Sequence, residues 1–402
     1  MPGHKGGHMI PRYLKRDLYD IDVTELGYND DLNAPKGIIR DLQESMASEY
    51  GCIKSYLLTN GATQGISTAL HACAGIGDKI LISADCHISV LNIMKIVKAK
   101  PVYIRRPFNG GRGFLEPCTF EDVTEAYVLN PDAKILFFTY PNYYGFCADA
   151  KRIIEFAHAK GMIVIVDEAH GAHFHYSGLL PASAVELGAD IVVQSMHKTL
   201  PVLTQVGLLH VNAKELINSI ESSLRIFSST SPSYIFMVSA EYGFRYMQRS
   251  GKIELKRIID AVKKIREFDR IKKVANDDPT RIVYDVTGTG LCGFEISKIL
   301  ADRYGIYAEM ADLDNIVLIA SVMNRNTDLK KLSTALGTLD RQEFTGSKTV
   351  VYDHSYVGRK AEKDILIYPP GTPFMLKDEI YSKEKAEYLQ RVKNLGGEIV
   401  EC

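Results

Sequence analysis

The stretch Gln194–Thr199 (QSMHKT) follows the apolar run Ile191–Val193, and the stretch Val166–His170 (VDEAH) ends the apolar run Met162–Val166. Apolar runs of this length are typical of strands that are buried inside a parallel sheet. Each run therefore delivers the polar residues that follow it to the carboxyl edge of a sheet, where open α/β folds bind their ligands. Together the two stretches predict an α/β fold with a site at that edge.

Lys198 and Asp167 are the residues of these stretches that indicate a specific chemistry. Pyridoxal 5'-phosphate (PLP) needs a lysine that holds its aldehyde as a Schiff base and a carboxylate that pairs with its ring nitrogen. The carboxylate keeps that nitrogen protonated, so that the ring can accept electrons. We therefore expect PLP as the cofactor, with Lys198 and Asp167 as the pair that binds it.

A glycine-containing turn precedes these stretches, in a region where predicted strands and helices alternate. The stretch Tyr56–Thr59 predicts a buried strand, and Asn60–Gly65 leads from it into a helix of small residues. Free backbone N–H groups and the positive end of the helix dipole then point at one place, which suits a phosphate group. We expect Gly61, Ala62 and Thr63 to lie at this phosphate; the alternative is that Thr63 is a plain helix cap.

Two histidines and a lysine lie in segments that suit ligand binding. His87 follows the predicted strand Lys79–Ser83, so we expect it to stack on the cofactor ring; a polar surface residue is the alternative. The glycine-rich segment Met1–His8 contains His4 and Lys5. It is either a frayed terminus or backbone that approaches a ligand closely.

Several loop residues are candidates for contact with the substrate. The carboxylates among them are suited to a distal guanidinium or ammonium group, on this chain or on a partner chain, and the alternative for them is solvation or helix capping. For the hydroxyl groups the alternative is a capped helix start. The candidates are Glu25, Asp30, Asp31, Ser231 and Ser233.

The composition describes a soluble globular protein. The chain has 402 residues, of which 46% are hydrophobic and 24% charged, with a formal net charge of −1. Near-neutral charge without long basic runs argues against nucleic acid or an anionic membrane as the main partner. Its apolar stretches are no longer than strands and Met1 leads into a polar segment, so we expect a cytoplasmic protein without signal peptide or membrane span. The 7 scattered cysteines predict free thiols, and we expect no metal site.

A change of composition near Arg245–Gly251 predicts a domain boundary. The expected division is an N-terminal segment, residues 1–35, that contributes to the active site or a dimer interface; a large PLP-binding domain, residues 36–245; and a smaller C-terminal α+β domain, residues 246–402.

Two features of the C-terminal part can be predicted from its residues. A basic amphipathic helix is expected from Lys252 to about Val274, with its charges on a solvated face. The stretch Ile365–Phe374 contains so many prolines that we expect a rigid loop rather than a central strand.

These residues resemble, in type and in order, the Orn/Lys/Arg decarboxylase family of fold type I PLP enzymes, and the resemblance covers nearly the whole chain. The strings SMHKTLP at 195–201 and DEAHGAHF at 167–174 are highly specific in combination, whereas GAT at 61–63 is not. The remaining matching strings are PGHKGG at 2–7, TEL at 24–26, DDL at 30–32, CH at 86–87, LTQ at 203–205, TSPSY at 230–234 and YPPGTP at 368–373.

The resemblance implies a PLP-dependent transferase-like (fold type I) large domain, in which helices flank a mainly parallel sheet, and a smaller α+β domain. It also implies that Lys198 carries the cofactor, that Asp167 pairs with the ring nitrogen, and that His170 lies beside the ring and the substrate. The residues implied around the cofactor are Gly61, Ala62, Thr63, His87, Asp167, Ser195, His197, Lys198, Thr204 and Gln205.

The family forms dimers or assemblies of dimers with active sites at the subunit interface. The resemblance therefore implies a homodimer in which Thr204, Gln205 and the PGHK segment serve a neighbouring site. The chain departs from the family pattern at Ala62, where relatives usually have a hydroxyl residue, so we expect backbone or water to replace one phosphate hydrogen bond. It also opens directly on PGHK, where relatives carry a short helical segment first.

The implied reaction is decarboxylation of arginine, lysine or ornithine to the amine and CO2, within polyamine biosynthesis. An aminotransferase or another fold type I reaction is the main rival hypothesis, because the bond held perpendicular to the ring decides the reaction and sequence spacing does not reveal it. Two further hypotheses are a metal site at His170, His173 and His175 and a binding protein that has lost catalysis.

Overall fold

The apolar runs of the sequence form the strands of a central sheet in the computed structural model, which describes residues 1–7, 10–104, 116–344, 352, 354–368 and 371–401. The strands are β1 (Lys54–Leu58), β2 (Lys79–Ser83), β3 (Lys100–Ile104), β4 (Ile135–Thr139), β5 (Ile163–Asp167), β6 (Ile191–Gln194), β7 (Gly207–Val211), β8 (Lys272–Val274), β9 (Arg281–Asp285), β10 (Met310–Ala311), β11 (Asn315–Ile319), β12 (Ile365–Tyr368), β13 (Thr372–Met375) and β14 (Glu398–Glu401).

Helices lie between most of these strands. They are α1 (Arg12–Arg16), α2 (Leu18–Ile21), α3 (Ile38–Tyr50), α4 (Gly61–Cys73), α5 (Ile88–Val97), α6 (Phe120–Leu129), α7 (Ala150–Ala159), α8 (Met196–Thr199), α9 (Ile217–Phe227), α10 (Tyr234–Lys263), α11 (Gly293–Tyr304), α12 (Asn326–Arg341) and α13 (Lys383–Asn394). None of the helices within the described residues combines the length and the apolar character that a membrane crossing requires.

The central sheet has the strand order β1-β7-β6-β5-β4-β2-β3. Its pairs from β6 through to β3 are parallel, whereas β7 runs antiparallel to both β6 and β1. Because β1 therefore points the same way as β6, the carboxyl ends of β1, β2, β4, β5 and β6 lie on one edge. The predicted α/β fold with a mainly parallel sheet is confirmed.

Both faces of the sheet are buried, which explains why its strands are apolar without alternation. Phe138 and Val164 pack on one face together with residues of α3, α7 and α10. Phe137 and Ile165 pack on the other face with residues of α4, α5 and α9. This two-sided burial fixes the strand ends at which the polar residues emerge.

The second sheet has the order β10-β11-β9-β8, and the long helix α10 connects it to the first. Phe244 and Met247 of α10 belong to the core of the large sheet, whereas Ile258 and Val262 belong to the core of the second sheet. The boundary proposed at residue 245/246 thus falls inside a continuous helix rather than in a linker.

Two predictions for the C-terminal part are wrong. The helix expected from Lys252 to about Val274 is the end of α10, which stops at Lys263, and residues 272–274 form strand β8. The stretch expected to be a rigid loop contains β12, which is the central strand of the sheet β13-β12-β14. Ile365 is buried in the apolar core of this sheet, whereas Leu366 is buried against the core of the large sheet. β12 ends at Tyr368, before the prolines interrupt the pattern.

Candidate active site

A cavity of about 340 Å³ opens at the carboxyl edge of the large sheet. Its walls come from the residues that follow β1, β2, β4, β5 and β6, together with the loop before β7. They are Asn60, Gly61, Ala62, Thr63, Ile66, His87, Thr139, Tyr143, Asp167, Ala169, His170, Ser195, His197, Lys198, Thr204 and Gln205. All of the residues predicted from the sequence to surround the cofactor therefore line one cavity of a single chain.

Lys198 reaches the cavity from the short helix α8, which follows β6 directly. Removal from water lowers the pKa of its ammonium group from 10.5 to about 8, against the opposing effect of the Asp167 charge. A larger share of the lysine is therefore an uncharged amine near neutral pH than in water. The uncharged amine is the form that can react with an aldehyde.

Asp167 is the last residue of β5 and its side chain is buried. One of its carboxylate oxygens accepts a hydrogen bond from the backbone N–H of Ala169 over 3.0 Å. Burial raises the pKa of this carboxyl group, and the nearby Lys198 charge opposes that rise. The carboxylate is thus fixed in orientation. A cationic group in the cavity, such as a protonated ring nitrogen, would pair with it.

The start of helix α4 forms one wall of the cavity and has no side-chain cap. Gly61 has a φ of +70° and donates its N–H to the carbonyl oxygen of Gln205 over 2.7 Å. The uncapped N–H groups of the following turn, at Ala62 and Thr63, are the donors to which a phosphate binds at a helix start. The sequence alternative, in which the Thr63 side chain caps α4, is not what the structure shows.

His87 caps the start of α5 and faces the same cavity. Its Nδ1 accepts a hydrogen bond from the backbone N–H of Ser89 over 3.2 Å. Burial lowers the pKa of this histidine to about 4, and the Lys198 charge acts in the same direction. The imidazole is therefore neutral and held in place, as a ring that stacks on a flat cofactor should be.

His170 connects Lys198 to an arginine that sequence reasoning missed. Its Nε2 lies 3.0 Å from Nζ of Lys198, and its Nδ1 lies 2.8 Å from Nη2 of Arg281. Tyr143 packs beside it, with ring centroids 4.5 Å apart, and the Lys198 nitrogen lies 5.6 Å from the centroid of the Tyr143 ring. Burial is the main reason why the pKa of His170 lies well below its usual value.

The side chains of His170, His173 and His175 point in different directions, so they do not form the metal site that was considered as an alternative. His170 faces the cavity, whereas His173 contacts Asp278 and Thr280, at 3.2 Å and 3.0 Å. His175 instead lies 2.8 Å from Glu186. Across the described ranges of the chain, no group of three or more His, Cys, Asp or Glu side chains is placed to hold a metal ion.

The N-terminal segment is attached to the active site rather than frayed. Gly3 donates its N–H to the carbonyl oxygen of His197 over 2.8 Å, and its own carbonyl oxygen accepts from Ser321 Oγ over 2.6 Å. Lys5 donates to the carbonyl oxygen of Ile319 over 2.8 Å. His4 lines a separate apolar cavity, beside α10, so neither His4 nor Lys5 lies on the wall of the cofactor cavity.

The candidate substrate residues of the loops also lie outside this cavity. Asp30 accepts hydrogen bonds from the backbone N–H groups of residues 36, 37 and 39, so it fixes the start of α3. Asp31 accepts from the N–H of Asn33, and Glu25 accepts from the Thr24 hydroxyl. Capping, one of the two alternatives considered for these carboxylates, therefore describes Asp30.

Ser231 and Ser233 line a different surface cavity, of about 480 Å³, together with residues of the segment 22–26. Their hydroxyl groups are therefore not part of the cavity that contains Lys198 in the same chain. The sequence prediction for these two serines stays a prediction.

Several site residues were missed because they are distant in sequence or lack a motif. Thr139 ends β4 directly beside Asp167, and its buried hydroxyl has no hydrogen-bond partner within the described residues. Arg281 begins β9 of the second sheet, far from either motif. Two signals in the sequence could have identified them. Thr139 is a polar residue at the end of an apolar strand, and Arg281 is a charged residue at the start of another.

These residues fit PLP in the chemistry of their donors and acceptors. The uncapped start of α4 suits the phosphate, the oriented Asp167 carboxylate suits a protonated ring nitrogen, and Lys198 suits the aldehyde. The unpartnered Thr139 hydroxyl adds a polar group that a bound molecule would satisfy.

Comparison with known proteins agrees with this chemistry. The family model "Orn/Lys/Arg decarboxylase, major domain" matches residues 1–284. The chain is 30% identical to the arginine decarboxylase of Bacillus subtilis, over 98% of this chain and 90% of the relative. It is 32% identical to the uncharacterized protein YaaO of the same organism, with the same coverage. The crystal structure of the Francisella novicida lysine decarboxylase is similar in fold, with a TM-score of 0.76 at 16% identity over 99% of this chain and 76% of that one.

Proposed function

Because this chain belongs to the Orn/Lys/Arg decarboxylase family and is a PLP-dependent decarboxylase of basic amino acids, we propose that arginine is its substrate. The observation that carries the choice of arginine is the match with the Bacillus subtilis arginine decarboxylase, which extends over nearly the whole of both chains. The products are then agmatine and CO2. We also propose, on the family resemblance, that this reaction serves polyamine biosynthesis in the cytoplasm.

The proposed roles of the residues follow from where their side chains lie. When bound, PLP accepts the electron pair that remains when the bond between Cα and the carboxylate breaks. Asp167 keeps the ring nitrogen protonated through its fixed carboxylate, and the first turn of α4 holds the phosphate. His87 supports one face of the ring. His170 and Lys198, whose nitrogens lie 3.0 Å apart, are the groups placed to deliver a proton to Cα.

We propose Glu309 as the residue that binds the distal guanidinium group. Its side chain is only 12% exposed, and its carboxylate lies 3.0 Å from the backbone nitrogen of Met1, in the segment that is hydrogen-bonded to α8. Glu309 is not among the residues that line the cavity, but its negative charge raises the pKa of both Lys198 and Arg281, which supports a position close behind the cavity wall. A carboxylate that is largely shielded from water binds a guanidinium more strongly than one at the surface.

We propose a homodimer whose interface includes the segment 13–38. Large apolar side chains are unusually exposed there: Tyr19 is 90% exposed, Tyr28 82% and Ile38 79%. Exposed aromatic and other large apolar side chains along one segment are typical of surfaces that bind another protein. Tyr19→Asp is expected to shift the sedimentation coefficient from that of a dimer to that of a monomer, and an unchanged dimer would contradict this interface.

The test of the proposed substrate is CO2 release from PLP-loaded protein that receives arginine, lysine and ornithine in separate reactions. We expect kcat/KM for arginine to exceed the values for the other two, because only arginine carries the planar guanidinium that a carboxylate binds through two hydrogen bonds. A preference for lysine or ornithine would refute the proposed substrate and leave the decarboxylase intact. Accumulation of the pyridoxamine form without CO2 would show transamination instead.

A further inference from the structure

An arginine, a histidine and a lysine form a continuous chain of contacts at the cavity. Arg281 is the first residue of β9, and its side chain is 1% exposed. Its Nη2 lies 2.8 Å from Nδ1 of His170. On the other side of the same imidazole, Nε2 lies 3.0 Å from Nζ of Lys198. His170 itself is only 2% exposed, so water does not compete for either of its nitrogens.

The chemistry of the three side chains determines where the protons lie. A guanidinium group donates hydrogen bonds but accepts none and does not lose its proton in a protein. Arg281 must therefore donate to Nδ1 of His170, which must carry a lone pair. A neutral imidazole has a single N–H, so in His170 it lies on Nε2 and points at Lys198. To accept this hydrogen bond, the Lys198 nitrogen must itself carry a lone pair.

We propose that Arg281 is a positioning residue for the reaction: it fixes His170 in the tautomer with the proton on Nε2, and this tautomer holds Lys198 as an uncharged amine. The lone pair of that amine is what forms the bond to an aldehyde carbon, whose oxygen leaves as water. The inference rests on the proposed function in one respect, which is that Lys198 is the lysine that binds PLP.

The surroundings of Arg281 show that its place is imposed by the fold. A side chain at position 145 would bring its Cβ to within 2.8 Å of the Arg281 Cβ, so only Gly145, with a φ of +82°, allows the arginine to lie there. The Nε and Nη1 of Arg281 have no hydrogen-bond partner within the described part of the chain. Burying a guanidinium with so few partners costs stability. The buried carboxylate of Asp278 offsets part of this cost, since its charge favours the protonated arginine. A role in the reaction is a reason to keep such a residue despite the remaining cost.

Nearby charges also act on this chain of contacts. The carboxylates of Asp167 and Glu309 favour the protonated form of Lys198, whereas Arg281 disfavours it. His87 and His197 face His170 from the remaining walls, and both have a lowered pKa because they are buried. Arg281 is therefore a buried cation that favours the free amine both through its charge and through the tautomer of His170. The two effects need separate tests.

The tautomer is measured directly by nitrogen NMR of the unloaded protein with ¹⁵N-labelled histidine. His170→Asn identifies the signals of His170 by their loss. We expect Nδ1 of His170 to show the shift of an unprotonated nitrogen and Nε2 that of an N–H. In Arg281→Met we expect the Nδ1–H tautomer to appear, and Arg281→Lys, which keeps a charged donor, to restore the original pattern. A wild-type protein with Nδ1 of His170 protonated would overturn the proposal, even if neither Arg281 variant folds.

The effect on Lys198 is measured by the rate at which unloaded protein captures PLP covalently, as a function of pH. We expect Arg281→Met to move the midpoint of this profile to higher pH. In a His170→Phe background the same substitution should cause a smaller shift, because the tautomer no longer contributes. Equal shifts in both backgrounds would show that Arg281 acts through its charge alone and would refute the positioning role.

These measurements use unloaded protein and no amino acid. A failure of the positioning role therefore leaves the decarboxylation proposal untouched. A failure to release CO2 from any basic amino acid would in turn leave the tautomer result standing.

Discussion

Gly3 donates its backbone N–H to the carbonyl oxygen of His197 over 2.8 Å, so the start of the chain is hydrogen-bonded to the helix that carries Lys198. A Cβ at position 3 would lie 2.3 Å from the carbonyl oxygen of Leu200, which is rigid backbone at the end of the same helix. A glycine at this position is therefore a requirement of the active site as well as of the local fold.

Gly3→Ala is expected to displace either the N-terminal segment or α8. Because α8 carries Lys198, we expect lower PLP occupancy and at least about 10-fold lower kcat/KM, the loss that follows when about 1.4 kcal/mol of transition-state stabilisation disappears. Cofactor absorbance and steady-state kinetics measure the two effects. Gly178→Ala is the control, since a Cβ at 178 meets nothing within 4 Å. Equal PLP occupancy and equal kcat/KM in the two variants would refute the close packing of Gly3.

Asp167→Asn removes the charge expected to pair with the ring nitrogen while it keeps the size of the side chain. We expect kcat to fall by at least about 100-fold, on the scale of the loss of one preorganised electrostatic stabiliser. Asp85→Asn is the matched control. Asp85 is also buried after a strand of the same sheet, but burial raises the pKa of its carboxyl group to about 7, so a neutral amide is a closer substitute there. A larger loss of kcat in Asp85→Asn than in Asp167→Asn would mean that Asp85, and not Asp167, pairs with the ring nitrogen.

Lys198→Met tests the burial of the lysine through stability. The pKa of Lys198 is about 8 when folded and 10.5 otherwise, so between these pH values the unfolded chain binds a proton that the folded chain has released. The contribution of this group to the free energy of unfolding therefore rises with pH across that window. We expect Lys198→Met to have a larger free energy of unfolding than the wild type below pH 8. Above pH 8 we expect this difference between the two proteins to shrink by up to about 1.4 kcal/mol per pH unit.

This gap is measured by urea unfolding of the two unloaded proteins at a series of pH values. A gap that stays constant with pH would mean that the pKa of Lys198 is the same in the folded and unfolded chains. Burial would then no longer explain why the amine of Lys198 is free to react near neutral pH.

Glu309→Gln tests the proposed contact with the guanidinium group. We expect KM for arginine to rise by about 10- to 100-fold with a smaller change in kcat, because the distal contact is made equally in the bound substrate and in the transition state. Asp30→Asn is the comparison. Asp30 only fixes the start of α3, so we expect it to lower stability by about 1 kcal/mol without raising KM. If KM for arginine rises in Asp30→Asn and not in Glu309→Gln, Glu309 does not bind the guanidinium group, and the carboxylates predicted from the sequence become the candidates again.

The part of the site that follows parallel strands could be predicted from the sequence. Apolar runs that end in polar residues identify strand ends, and parallel strands bring those ends to one edge. Lys198, Asp167, His87 and the turn at 61–63 therefore line one cavity, as the pattern suggested.

The rest of the site and of the fold depends on contacts between segments that are distant in sequence. Local sequence patterns contain no information on such contacts. Arg281 reaches His170 from another sheet, and nothing around it in the sequence distinguishes it from a surface arginine. The carboxylate of Asp30 had the right chemistry for a substrate contact, but the backbone N–H groups of α3 occupy it. The strand β12 was missed because its prolines follow Tyr368 rather than interrupt the four residues that pair.

The most direct test of arginine decarboxylation is the ratio of agmatine to CO2 formed from arginine by the PLP-loaded protein, with Lys198→Ala as the inactive control. We expect one agmatine for each CO2 and turnover that is abolished in the variant. Undiminished turnover in Lys198→Ala would contradict the role proposed for Lys198, and loss of arginine without CO2 would contradict arginine decarboxylation.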